Sequence, residues 1–141
     1  MIGIVVTSHG LMSAGMVDSL EMIAGKNQHV YSIALDNEGI ENYQQRLVQL
    51  LDQLNQQYKQ ILICCDLKGG TPFNECYRYL LEHEVSMHLV TGVNLPMLIE
   101  VSLAAQFEEN LIRLAAVAVE AGRESVILLD MAEETDNELD L

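Results

Sequence analysis

Positive charge is scarce in this chain. Lysine and arginine together number 7 against 21 aspartates and glutamates, a formal net charge of −14. Nonspecific nucleic-acid binding depends on cationic neutralisation of phosphates, so that class of function is excluded, and an anionic membrane surface would repel the chain. A protein or small-molecule partner is expected instead. Long hydrophobic runs are also missing: no stretch approaches the roughly 18 apolar residues of a membrane helix. The apolar start, Met1-Ile2-Gly3-Ile4-Val5-Val6, has no basic lead, since the first lysine is Lys26; a secretory signal is not expected. Cysteine is limited to three residues, an odd number, two of them adjacent. In a strand Cys64 and Cys65 would face opposite ways, so no disulfide framework follows, and reduced, buried thiols in a cytoplasmic protein are expected. No pair of candidate ligands has a recurring zinc or iron spacing, so neither a metal nor another cofactor is called for.

What is present is a globular composition. Half of the 141 residues are hydrophobic and a fifth are charged, which suits one domain. Two kinds of segment alternate. Residues 2–7 are short, β-branched and nearly all apolar, like a strand buried on both faces. Residues 11–24 read as a helix ended by Gly25. Residues 30–35 and 61–65 read as further strands. Between them, Ile40, Tyr43, Leu47, Leu50, Leu51, Leu54 and Tyr58 recur at helical spacing. Thr71 is read as N-cap and Pro72 as first residue of a helix to 82. A short strand at 87–90, a helix at 95–106 opened by Pro96, a helix at 109–121 ended by Gly122 and a last strand at 125–129 complete the order. The seven methionines read as core filler. Residues 1–131 are expected to form one domain. Residues 132–141, with Glu133, Glu134, Asp136, Glu138 and Asp140, read as an acidic, disordered tail. The alternation predicts an α/β fold: a mainly parallel central sheet covered by helices on both faces.

In such sheets ligands gather beyond the carboxyl ends of the strands. Two polar, glycine-rich segments fall there: Thr7-Ser8-His9-Gly10, and Asp66-Leu67-Lys68-Gly69-Gly70-Thr71-Pro72. Taken singly, Asp66 is a strand-end cap, Gly69-Gly70 a tight turn and Thr71-Pro72 a helix start. Placed on one edge they can do more. A neutral imidazole is a fair nucleophile near pH 7. A carboxylate on one ring nitrogen fixes the tautomer and supports positive charge on the ring. The start of a helix at Gly70 and Thr71 favours an anion. Phosphoryl transfer through a phosphohistidine fits the set. His29, His83 and His88 read as surface or packing residues.

These segments resemble the IIA component of the mannose-type family of the bacterial phosphoenolpyruvate-dependent sugar phosphotransferase system. Ile4-Val5-Val6-Thr7-Ser8-His9-Gly10 resembles the family's phosphorylated-histidine strand. Asp66 to Asn74 resembles its Asp-x-x-Gly-Gly-Ser/Thr-Pro-Phe-Asn loop. Gly92-Val93-Asn94-Leu95-Pro96-Met97-Leu98 resembles its Gly-Val-Asn-x-Pro-Met-Leu segment. The resemblance implies that His9 accepts a phosphoryl group from the phosphocarrier HPr and passes it to a IIB component. It also implies that Asp66 bonds the ring, and that Gly70 and Thr71 hold phosphate. The IIB partner would be a separate chain, with membrane IIC and IID components associated indirectly and choosing the sugar. The resemblance further implies a homodimer in which the strand at 125–129 is exchanged and runs antiparallel to its neighbours. Lys68 is a departure, standing where the family often has an aromatic or apolar residue; it bears on partner or phosphate contacts.

Two rival readings compete with this one. Histidine phosphatases carry an arginine before a strand-end histidine, and here that residue is Ser8; none of Arg46, Arg78, Arg113 and Arg123 adjoins His9. A phosphate-clamping arginine pocket is hard to build from these. The alternative that stays open is a phosphorylation-dependent regulatory IIA-like module, or a phosphoryl donor to dihydroxyacetone kinase.

Overall fold

Three apolar strands, each followed by a helix, have the crossover connections that parallel pairing requires. The computed structural model, which describes residues 1–131, has that arrangement. Its order is β1 (Gly3–His9), α1 (Met12–Ala24), β2 (Val30–Leu35), α2 (Ile40–Gln57), β3 (Ile61–Cys65), α3 (Thr71–Glu82), β4 (Met87–Val90), α4 (Leu95–Ala104) and α5 (Leu111–Glu124). The four strands form one parallel sheet ordered β2-β1-β3-β4. The fold is α/β, with helices on both faces of the sheet. The proposed tail at 132–141 lies outside the described residues.

Side-chain alternation along the central strands divides the core in two. Ile4, Val6, Leu62 and Cys64 face α1, α4 and α5, against Leu20, Leu98, Val101 and Leu114. Val5, Ile61, Ile63 and Cys65 face α2 and α3, against Tyr43, Leu47, Leu51 and Tyr79. The adjacent cysteines therefore do point to opposite faces, and all three thiols are free and buried. Each fully buried aliphatic side chain contributes roughly 1.5–3 kcal/mol, so β1 and β3 are the best-anchored segments. That anchoring holds the residues at their carboxyl ends.

Helix ends follow local chemistry. Gly25 ends α1 at φ 80°, a backbone region that glycine enters without a Cβ penalty. Asn94 accepts the Met97 N–H at 3.0 Å and so caps α4, and Asn110 does the same for α5 through Arg113 at 3.0 Å. Four expectations need correction. Thr71 is not an N-cap: Gly70 occupies that position, no side chain caps α3, and Thr71 is the first helical residue. Gly122 does not end α5 but lies within it, because a Cβ there would come 2.7 Å from Met97 Cε; the glycine lets α5 lie close on α4. Of the seven methionines, Met87 and Met97 are buried, but Met1, Met12, Met22 and Met131 lie on outer surfaces and fill no core. Residues 125–129 form no strand. A strand needs an edge to pair with, and this segment pairs with neither edge of its own sheet. Its apolar side chains stay exposed, Leu128 at 94%.

Candidate functional site

Parallel pairing brings the ends of β1 and β3 side by side. Thr7 registers with Cys65, and the Asp66 N–H donates to the Thr7 carbonyl at 3.1 Å. On the other side His9 registers with Leu35. The next step along both chains places His9 beside Asp66.

The contact between them is double. The His9 backbone N–H donates to Asp66 Oδ2 at 2.9 Å, and His9 Nδ1 lies 2.7 Å from the same oxygen. The other carboxylate oxygen accepts the Leu67 N–H at 2.9 Å. Burial by itself would raise the Asp66 carboxyl; the hydrogen bonds from the His9 ring, the His9 amide and the Leu67 amide outweigh it and hold the group below its ordinary value. Asp66 is therefore ionised at neutral pH. A carboxylate only accepts, so Nδ1 must donate, and a neutral ring then carries its lone pair on Nε2. The Asp66 side chain is 8% exposed and the His9 side chain 46%. The orienting group is buried and the ring it orients is open to solvent.

The floor and walls come from three loops. Gly10 turns the chain at φ 61°, with nothing within 4 Å of where a Cβ would stand. Buried Ser8 accepts the Ser13 N–H on its Oγ at 2.8 Å, tying the first turn of α1 back to β1. Gly70 abuts the free edge of the imidazole: a Cβ there would lie 2.8 Å from His9 Cε1 and 3.4 Å from Nε2. α3 begins beside it without a side-chain cap, so its first amides remain available to an anion. The Thr71 hydroxyl makes no hydrogen bond to another described residue, and the structure does not tie it to His9. Below the ring, Thr7 Oγ1 and the Tyr43 hydroxyl lie 2.6 Å apart in the core, which joins β1 to α2. Neither the Thr7–Tyr43 link nor the Ser8 cap stood out in the sequence. The one available signal was a threonine and a serine near the end of an otherwise apolar strand.

The remaining histidines lie elsewhere. His29 is buried, with Nε2 3.2 Å from the Ser102 carbonyl. His83 stacks on Tyr79 at 3.8 Å between ring centroids. The clefts are also remote: one of about 570 Å³ is lined by Lys26, His29, Tyr58 and Phe107, and one of about 500 Å³ by Leu89, Thr91 and Arg123. Neither touches His9. A deep pocket suits a small free substrate, whereas an exposed ring nitrogen suits a group delivered by another macromolecule. No helix among the described residues is long and apolar enough to cross a membrane.

Comparison with known proteins gives a consistent result. The family model described as "PTS system fructose IIA component" matches residues 3–119. The mannose-specific EIIAB component of the phosphotransferase system of Escherichia coli K12 is 32% identical over 126 residues, covering 89% of this chain and 38% of that relative. The chain thus spans well under half the length of that protein. The fructose-specific EIIA component of Bacillus subtilis is 30% identical over 102 residues, covering 72% of this chain and 68% of the relative. Among solved structures, a phosphotransferase system component EIIA from Streptococcus agalactiae superposes with a TM-score of 0.83 at 28% identity, covering 91% of this chain and 97% of that one.

Proposed function

This chain belongs to the family of phosphotransferase-system IIA components of the mannose and fructose type, and from that premise we propose that it is a phosphoryl carrier working through His9. Phospho-HPr is the donor and a IIB component the acceptor, in sugar uptake coupled to phosphorylation. The observation that carries the reading is the Nδ1–Asp66 bond of 2.7 Å, which leaves Nε2 as the ring nitrogen free to react.

The step balances without a cofactor. The Nε2 lone pair forms the new N–P bond as the donor's P–N bond breaks and its electron pair returns to the donor. Nδ1 keeps its proton. Positive charge that develops on the ring is met by the Asp66 carboxylate, and negative charge on the phosphoryl oxygens by the amides at Gly70 and Thr71. Transfer to IIB reverses these events. The chain acts in the cytoplasm, with IIC and IID reached through IIB. Residues 125–129, in which Val126, Ile127, Leu128 and Leu129 are exposed, are read as a strand exchanged in a homodimer; pairing with a partner's sheet edge would bury them.

Single-turnover transfer from phospho-HPr tests the site. Wild type should accept phosphate, and His9→Ala should not. Asp66→Ala should fold and lose on the order of 10²–10⁴ in rate. Thr71→Ala should lose less, because the backbone amides stay. Normal acceptance by His9→Ala would end the reading, and equal losses for Asp66→Ala and Thr71→Ala would remove the division of roles.

A further inference from the structure

A phosphoryl group on His9 adds roughly 1.5–2 negative charges beside the Asp66 carboxylate, in a chain whose formal net charge is already −14. Backbone amides supply only partial charges, so the question is which full positive charge meets it. The cations near the carboxyl ends of the strands are few, and most are engaged. Arg46 donates to Asn42 Oδ1 at 2.7 Å and to the Ala34 carbonyl at 2.8 Å, and pairs with Asp36 at 3.8 Å. Arg78 pairs with Glu75 at 3.5 Å. Arg123 lines the cleft at the end of β4, and β4 is two strands from β1, about 9–10 Å across the sheet.

Lys68 differs from Arg46 and Arg78 in being unpaired among the described residues, and from Arg123 in lying on the loop that holds His9. Its side chain is exposed. It sits in the middle of a five-residue loop whose two ends grip the imidazole: Asp66 holds Nδ1, and Gly70 lies against Cε1 and Nε2. Gly69, at φ 85°, turns the loop between Lys68 and Gly70. Lys68 Cα is then at most about 7 Å from Gly70 Cα, and lysine carries its ammonium on a flexible four-carbon stem with three donors.

We propose that Lys68 is a phosphate-contacting residue of the carrier, its ammonium folding over the Gly69 turn to neutralise the phosphoryl group on His9 Nε2. The proposal rests on the phosphoryl-carrier reading and adds to it a specific full charge. Arginine keeps the charge and a comparable reach, so it should substitute in part. Methionine keeps the stem and loses the charge.

The test is a ³¹P NMR titration of the phosphorylated protein as wild type, Lys68→Met and Lys68→Arg, with single-turnover acceptance from phospho-HPr measured alongside. A nearby cation favours the dianion. In Lys68→Met the phosphoryl pKa should therefore rise by roughly 0.5–1 unit, a modest shift because the site is open to solvent. Maximal acceptance should slow about tenfold, as for loss of one charge-assisted contact, and Lys68→Arg should restore most of both. Asp66, Asp36, Glu38 and Glu75 are unchanged across the series, so they cannot produce the difference. An unchanged phosphoryl pKa in Lys68→Met would overturn the proposal, even if half-saturation with HPr moved, since that would make Lys68 a docking residue. Failure of wild type to accept phosphate, or acceptance by His9→Ala, would instead overturn the carrier reading on which the proposal rests.

Discussion

A methyl group at position 70 should disable the site while leaving the fold alone. Gly70 has φ −76° and ψ 169°, a region open to every residue, so Gly70→Ala introduces no backbone strain. The added Cβ would stand 2.8 Å from His9 Cε1, and carbon atoms at rest are about 3.5–4.0 Å apart. The ring must retreat by roughly 0.8 Å. It is pinned at the opposite nitrogen, 2.7 Å from Asp66 Oδ2, and the carboxylate is pinned in turn by two backbone amides. Straight retreat would drive Nδ1 further into the carboxylate, already 2.7 Å away, so the ring can give way only by swinging out of line with Asp66, which spoils the alignment of that hydrogen bond. Hydrogen bonds to charged groups are worth about 1.5–3 kcal/mol, and the lower end applies to a ring about half exposed. Acceptance from phospho-HPr should slow roughly 10–30-fold, with the melting temperature within a few degrees of wild type. Gly15→Ala is the control, because nothing lies within 4 Å of its Cβ and a mid-helix alanine is mildly stabilising. Quench-flow transfer under single-turnover conditions gives the rates. A well-folded Gly70→Ala protein within threefold of wild type would refute the steric argument.

Stability should fall as the pH drops below about 6.5, because burial depresses the His29 imidazole below that value despite its bond to the Ser102 carbonyl. The unfolded chain then takes up the proton first, so His29 favours folding above the unfolded pKa and the contribution is lost as pH falls through the folded one. Urea titrations between pH 5 and 8 should show this slope, and His29→Gln should flatten it; an unchanged slope would assign the loss elsewhere. The depressed Asp66 carboxyl adds a second loss only in more acid solution, below its ordinary value of 3.8. Removal of residues 124–141 should give monomers or aggregates by light scattering at micromolar concentration, whereas removal of 133–141 should leave a dimer. A soluble, well-folded dimer lacking 124–141 would take the apolar segment out of assembly.

The parts of this molecule legible in its sequence are those set by pattern. Strands buried on both faces, alternating with helices, permit little except a parallel sheet, and a parallel sheet puts His9 and Asp66 on one edge. What escaped depends on neighbours distant in the chain. Gly122 looked like a helix stop because glycine serves both to end helices and to let them touch; only the position of Met97 separates the two uses. Gly70 looked like a turn residue, and its approach to the imidazole rests on ångström-scale packing. Thr71 had the composition of a cap, but Gly70 already held that place. Residues 125–129 have the composition of a strand, yet pairing is a property of two segments, and the partner edge is not supplied by this chain's own sheet.

The three buried thiols have a consequence for chemoselectivity. Sulfur is the stronger nucleophile once ionised, and Cys65 is only one residue from Asp66. Burial shields all three from solvent and pushes the Cys64 thiol up to about 12, while the hydrogen bond with Cys65 and then burial hold the Cys76 thiol well above its ordinary value. An electrophilic phosphorus arriving at the end of β1 thus meets an accessible imidazole and no accessible thiolate. In the proposed transfer, the choice of nitrogen over sulfur would be made by what the sheet encloses, before any difference in intrinsic reactivity could act.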